Sequence, residues 1–184
     1  MKNKQYLFCL ETKKSANTDW LYIKKVIDYL LEGKITNDKY KPLYMGGKGN
    51  YKDKSFVKEI NKSKKEFSGE SIVIYCIDLD NYAINYETKK FVDGVEEYCK
   101  QNDYRFVYFS RNIEEVFWGK QIVENKFKFA AKFSKDIEIS KDLLNRLNKE
   151  TKAPKTSNII NVLKEGNYIW FFSYFQMDIV INTY

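Results

Sequence analysis

Residues 71–77 read SIVIYCI, apolar from Ile72 onward and rich in β-branched side chains. A strand with one wet face alternates apolar and polar residues. A strand buried on both faces need not, and such burial is the mark of a parallel sheet covered by helices. Residues 6–10 (YLFCL) have the same look, and residues 40–45 and 105–109 also read as strands. Between them the apolar period lengthens to that of a helix. Residues 20–32 place Leu21, Ile23, Val26, Ile27, Leu30 and Leu31 on one side, with Thr18 or Asp19 as N-cap and Gly33 as the stop. A Lys-rich helix is expected over 54–67, another over 87–101 with Phe91, Val92, Val95 and Tyr98 on one face, and a fourth from Ile113. Strands that alternate with helices specify the α/β class. The expectation is a Rossmann-like, mostly parallel sheet of about four strands, with right-handed crossovers and helices on both faces.

The last third carries no strand as clear as these. Residues 116–133 and 140–151 read as helices, the second with Leu143, Leu144 and Leu147 inward, and Thr156 or Ser157 caps a short helix ending at Glu165 before Gly166. The aromatic block 168–181 fits helix or strand equally, reads as core rather than as base-stacking platforms, and could form a homodimer interface. With 184 residues and no linker or repeat, the chain is expected to be one domain, 1–184. An α/β core spans 5–120, and a mostly helical, aromatic extension, 121–184, packs on it.

Composition then removes whole classes of chemistry. The chain has no histidine, which excludes Ser-His-Asp and Cys-His machinery, imidazole bases and His-containing zinc sites. Any metal must be held by carboxylate, backbone or solvent oxygens, which favours Mg²⁺ or Mn²⁺. Cys9, Cys76 and Cys99 make neither an even disulfide framework nor a CxxC pair. No apolar run is long enough to span a bilayer, since 168–181 is broken by Ser173, Gln176 and Asp178, and the start does not resemble a secretion signal. A cytoplasmic, reduced protein is expected, without membrane contact. The net charge of +7 suits an anionic partner such as nucleic acid.

Ligands of open α/β sheets bind at the carboxyl ends of the strands. Glu11 ends the first run, Gly46-Gly47-Lys48-Gly49-Asn50 follows the second, Asp78 and Asp80 close the third, and Ser110 to Glu115 follow the fourth. Carboxylates that converge repel one another unless a cation sits among them. Asp78 and Asp80, two apart on an extended segment, are expected to point the same way. Each residue also has an ordinary reading: Asp80 as a turn or cap residue, Glu11 as a solvated loop acid, Glu114 and Glu115 as first-turn acids favoured by the helix dipole, and the glycine loop as a plain turn without the GK[ST] ending of a Walker motif. Lys13, Lys14, Lys48, Lys52, Arg111 and Lys120 lie on or near the same edge.

The segments LFCLE, YMGGKGNY, IYCIDLDN and FSRNIEEVF, over roughly residues 5–120, resemble a Toprim domain. They are most similar to the stand-alone OLD-like and RloB-like Toprim proteins of bacterial anti-phage and abortive-infection systems. The resemblance implies that Glu11 serves as general acid/base or metal ligand, that Asp78 and Asp80 bind metal, and that Glu114 matches the acid after the fourth strand in the OLD-like branch. Thr12 stands where the family glutamate is usually followed by glycine. The separate tyrosine domain of topoisomerases and the added modules of primases have no room here, so a Mg²⁺- or Mn²⁺-dependent nuclease is the expectation, acting in anti-phage defence or as a toxin. Gly47, Lys48, Arg111 and Lys120 would meet the phosphate or nucleic acid, and an ATPase partner would be in keeping with such effectors. Two alternatives stand beside it: a non-catalytic module that binds nucleic acid or protein, and a nucleotidyl- or phosphotransferase using the same DxD.

Overall fold

The computed structural model describes residues 3–34 and 36–165. Four strands, β1 (Lys4–Leu10), β2 (Lys39–Tyr44), β3 (Glu70–Asp78) and β4 (Arg105–Phe109), form one sheet in the order β2-β1-β3-β4. Every pairing is parallel, as the apolar runs require. Helices α1 (Thr18–Leu31), α2 (Lys54–Lys65) and α3 (Tyr86–Gln101) are the crossovers. After β4 come α4 (Ile113–Trp118), α5 (Lys126–Asp136), α6 (Lys141–Leu147) and α7 (Ile159–Glu165). The α/β class, the four parallel strands and the helices on both faces are all as expected.

Strand parity sorts the core into two layers. On β1 and β3 the even residues Tyr6, Phe8, Leu10, Ile74 and Cys76 pack with α1 and α4 to α7 through Tyr22, Val26, Val116, Phe133, Leu147 and Ile160. The odd residues Leu7, Cys9, Val73, Tyr75 and Ile77 pack with α2 and α3 through Phe56, Ile60, Val92 and Val95. Because both faces are covered, neither parity can be polar, and the unbroken apolar runs of β1 and β3 follow. All three cysteines are free and buried, small apolar core residues as their sequence setting implies.

The open edge of β4 is closed from the C-terminal third. Ser110 N donates to Thr156 O at 2.9 Å, and Phe109 and Ser157 form an isolated antiparallel bridge. The Asn158 side chain then imitates a strand: its Oδ1 accepts from Tyr108 N at 3.0 Å and its Nδ2 donates to Phe106 O at 3.0 Å. A bare edge invites pairing with another chain, and this clamp removes that liability.

Three local expectations are corrected. The single helix over 116–133 is two, because Gly119 takes a left-handed conformation (φ 68°) that ends α4. The helix over 140–151 ends at Leu147, with Ser140 as its N-cap. Neither Thr18 nor Asp19 caps α1; the cap position is Asn17, without a side-chain cap hydrogen bond. The stop at Gly166 and the aromatic block 168–181, with any dimer interface on it, lie outside the described residues. Among the described residues no helix is long and apolar enough to cross a membrane.

Candidate functional site

In the order β2-β1-β3-β4 the chain leaves β1 toward one side for β2 and returns to the other for β3. The crevice between the carboxyl ends of β1 and β3 is the switch point at which such sheets place their ligands. Register brings two of the expected residues together there. Leu10 pairs with Cys76, so Glu11, the next residue, comes level with the end of β3. Its Oε1 accepts a hydrogen bond from Asp78 N at 2.7 Å. Asp78 Oδ1 in turn accepts from Ile113 N at 2.9 Å, which ties the end of β3 to the start of α4. Glu114, the second residue of α4, is almost fully buried (3% exposed).

The Asp78–Asp80 pair departs from the extended geometry expected of it. Asp80 has φ 47°, and Arg111, whose carbonyl accepts from Asp80 N at 2.7 Å, has φ 67°. Two non-glycine residues in the left-handed region, bonded to each other across neighbouring strand exits, represent local strain of a kind that clusters at functional sites. The turn sends Asp80 toward Lys48, with which it forms an ion pair, while Asp78 stays at the crevice floor.

The glycine loop reaches the site from β2. Met45 N donates to Leu10 O at 2.8 Å and Gly46 N to Thr12 O at 3.3 Å, fastening the loop to the exit of β1. Gly47 then takes φ 137°, a conformation that side chains rarely adopt, and the turn Lys48–Asn50 follows. Lys48 is thereby delivered to the acids rather than to solvent. Arg111 Nη1 lies 3.5 Å from Glu115 Oε2. Lys120 is exposed in the loop after α4, apart from these contacts.

One participant was missed in the sequence. Asp19 reads there as a helix cap, yet its carboxyl belongs to the acidic group at the crevice. Burial first, and the Glu114 charge second, push it up to about 6. A parallel β-α unit starts its helix at the same sheet edge where its strand ends, so a first-turn acid of α1 was a candidate on topology alone.

The charges are mutually destabilising. Burial chiefly, with the Asp19 and Asp80 charges adding to it, lifts Glu11 to about 7 against the opposing pull of the Asp78 N–H and the Lys48 ammonium. Asp78 is held well above the usual carboxylate range by burial, then by Glu11, Asp19, Glu114 and Asp80. Cations neutralise only the margin: Lys48 pairs with Asp80, Lys126 with Glu114 at 3.1 Å, and Arg111 with Glu115. Among the described residues no lysine or arginine forms an ion pair with Glu11, Asp19 or Asp78.

An all-oxygen, acid-rich and cation-poor pocket of this kind fits a hard divalent cation by donor chemistry. Among the described residues no three acidic or thiol side chains are arranged to enclose an ion. Mg²⁺ does not require such a cage, since it keeps several waters and commonly takes one or two carboxylates together with substrate phosphate. Comparison with protein-family models, with curated proteins and with solved structures gives no match for this chain.

Proposed function

We propose that this chain is a Mg²⁺- or Mn²⁺-dependent nuclease of the Toprim kind, with its site at the crevice between β1 and β3. The observation that carries the reading is the meeting of Glu11, Asp19 and Asp78, from three separate segments, without an ion-paired cation among the described residues. A purely structural role would be served as well by neutral amides, which would not repel one another.

Asp78, with Glu11 and Glu114 beside it, would hold the metal. When bound, the ion supplies positive charge to a phosphodiester and acidifies a water. If Glu11 stands beside the metal rather than on it, its carboxyl, lifted to about 7 in the metal-free chain, would hold or release a proton near neutral pH, as a general acid/base must. Its hydrogen bond from Asp78 N fixes the carboxyl in place while that proton moves. Lys48, with Asp80 as its resting partner, can turn to a phosphate oxygen once one is present. Arg111 lies on the same edge beside Glu115 and can do the same. A role in anti-phage defence and control by an ATPase partner belong to this reading through the Toprim resemblance alone.

The test is cleavage of labelled DNA and RNA with Mg²⁺ or Mn²⁺. Asp78→Asn is expected to abolish cleavage while the melting temperature stays level or rises, because one buried charge is removed without loss of shape. Cleavage retained in the variant, or persisting in EDTA, overturns the reading. Binding that persists in EDTA with no cleavage in any metal assigns the chain to the binding-module class instead.

A further inference from the structure

Among the described residues the large hydrophobic side chains left in solvent fall in two places: Ile84 (86% exposed) and Tyr86 (73%) after β3, Val123 (73%) and Phe127 (59%) after α4. Both places adjoin the acidic crevice. Asp80 leads into a short turn closed by Tyr82 N to Leu79 O and Ile84 N to Asn81 O, each at 3.0 Å, so Tyr86 begins α3 within a few residues of the acids. On the other side, the Lys126–Glu114 ion pair at 3.1 Å holds the first residue of α5 at the crevice, with Phe127 next to it. Since α3 and α5 pack on opposite faces of the sheet, the two aromatic rings stand on opposite flanks of its carboxyl edge.

Exposed lysines neighbour each residue along the chain: Lys89 and Lys90 lie one turn after Tyr86, and Lys126, whose ammonium meets Glu114, and Lys128 flank Phe127, with Glu87 and Glu124 also exposed nearby. Scattered apolar residues on a surface need no explanation. An exposed aromatic set among lysines on each flank of a phosphodiester-cleaving site is the composition that binds unpaired bases, because the ring stacks on a base while the ammonium groups follow the backbone. A duplex keeps its base faces stacked on one another and offers such a ring nothing.

We propose that the substrate is a single-stranded nucleic acid laid across the crevice, with unpaired bases stacked on Tyr86 on one flank and Phe127 on the other. This rests on the nuclease reading for what is done to the strand, and on the exposed rings for how the strand is held. The experiment is fluorescence anisotropy of labelled single-stranded DNA, single-stranded RNA and their duplexes with the full chain in EDTA at low salt. Single strands are expected to bind at least about tenfold more tightly than duplexes, and Tyr86→Ala and Phe127→Ala each to weaken single-strand binding by roughly ten- to a hundredfold, with duplex binding unmoved. Tyr86→Trp and Phe127→Trp should retain it. The DNA and RNA arms decide which sugar is preferred. Equal or tighter duplex binding, no measurable nucleic-acid binding, or alanine variants that bind as well as the parent overturns the proposal. Strands held through these rings but left uncut in Mg²⁺ would uphold it while removing the nuclease reading; cutting that survives both alanine substitutions would do the reverse.

Discussion

Glu11→Gln should stabilise this protein, and by an amount that depends on pH. The glutamate ordinarily titrates near 4.5 and is lifted to about 7 in the folded chain, so the folded state binds its proton more tightly than the unfolded state. Its favourable contribution is therefore complete below the unfolded value and is lost as pH rises through the folded one. A tenfold change in proton affinity is worth about 1.4 kcal/mol, so the ionised glutamate costs at most about 3.4 kcal/mol at about pH 8. Partial solvent access reduces this to roughly 1–3 kcal/mol. Glutamine reproduces the protonated shape, and its Oε1 can still accept from Asp78 N, so the cost disappears without loss of the hydrogen bond. In a chain of this size each kcal/mol moves the melting temperature by roughly 2–4 °C. The assay is thermal melting in EDTA at low ionic strength, at about pH 8 and about pH 4, where the parent and the variant should differ by several degrees and by almost nothing, respectively. A variant that is less stable at both pH values would refute the reasoning, since the carboxylate would then be a structural acceptor rather than a charge the fold tolerates.

Four further outcomes are expected. Asp19→Asn should show the same pattern over a lower window, gaining stability relative to the parent as pH rises toward about 6, read by the same melts. Added Mg²⁺ should raise the parent's melting temperature, by about 2.7 kcal/mol of stability at about a hundred times the dissociation constant, and Asp78→Asn should lose that response. Gly47→Ala places a Cβ at φ 137° and should cost roughly 1–3 kcal/mol in urea unfolding. Asn158→Ala deprives Tyr108 N and Phe106 O of their partner and should cost about 1–3 kcal/mol, with faster hydrogen exchange confined to β4.

The sheet was legible because burial on both faces leaves a signature that survives without tertiary information: the run 72–77 carries no charged or amide side chain at either parity. Glu11 and Asp78 were legible for a topological reason, since strand ends in a parallel sheet must share an edge. Asp19 was not, because a helix-starting aspartate has the same sequence appearance whether it caps the helix, as the sequence suggests, or places its charge close enough to act on Asp78 and Glu11, as this one does. The conformation of Asp80 was hidden for a different reason. Its φ of 47° is imposed by the bond from its N–H to Arg111 O, a partner far along the chain, and a local pattern cannot carry that. The break at Gly119 could have been anticipated from the glycine itself, but the aromatic and lysine-rich residues around it continue the helical period and mask the stop.

The strained turns and the unpaired acids point to one arrangement rather than two accidents. If Asp80 stayed extended after Asp78, its carboxylate would add another like charge to the crevice floor, where Glu11, Asp19 and Glu114 already raise Asp78. The left-handed turn carries it outward to Lys48 instead, where its charge is paired and acts on Asp78 as the last of the four acids that raise it, at a strain of about 1–3 kcal/mol. The fold thus pairs Asp80 with Lys48, Glu114 with Lys126 and Glu115 with Arg111. Yet it leaves Glu11, Asp19 and Asp78 without an ion pair among the described residues. Each sits on a rigid element or at its end, where an amide of the same shape would fit without the repulsion. Three unpaired acids at the switch point of the sheet are the arrangement that the proposed cation would relieve.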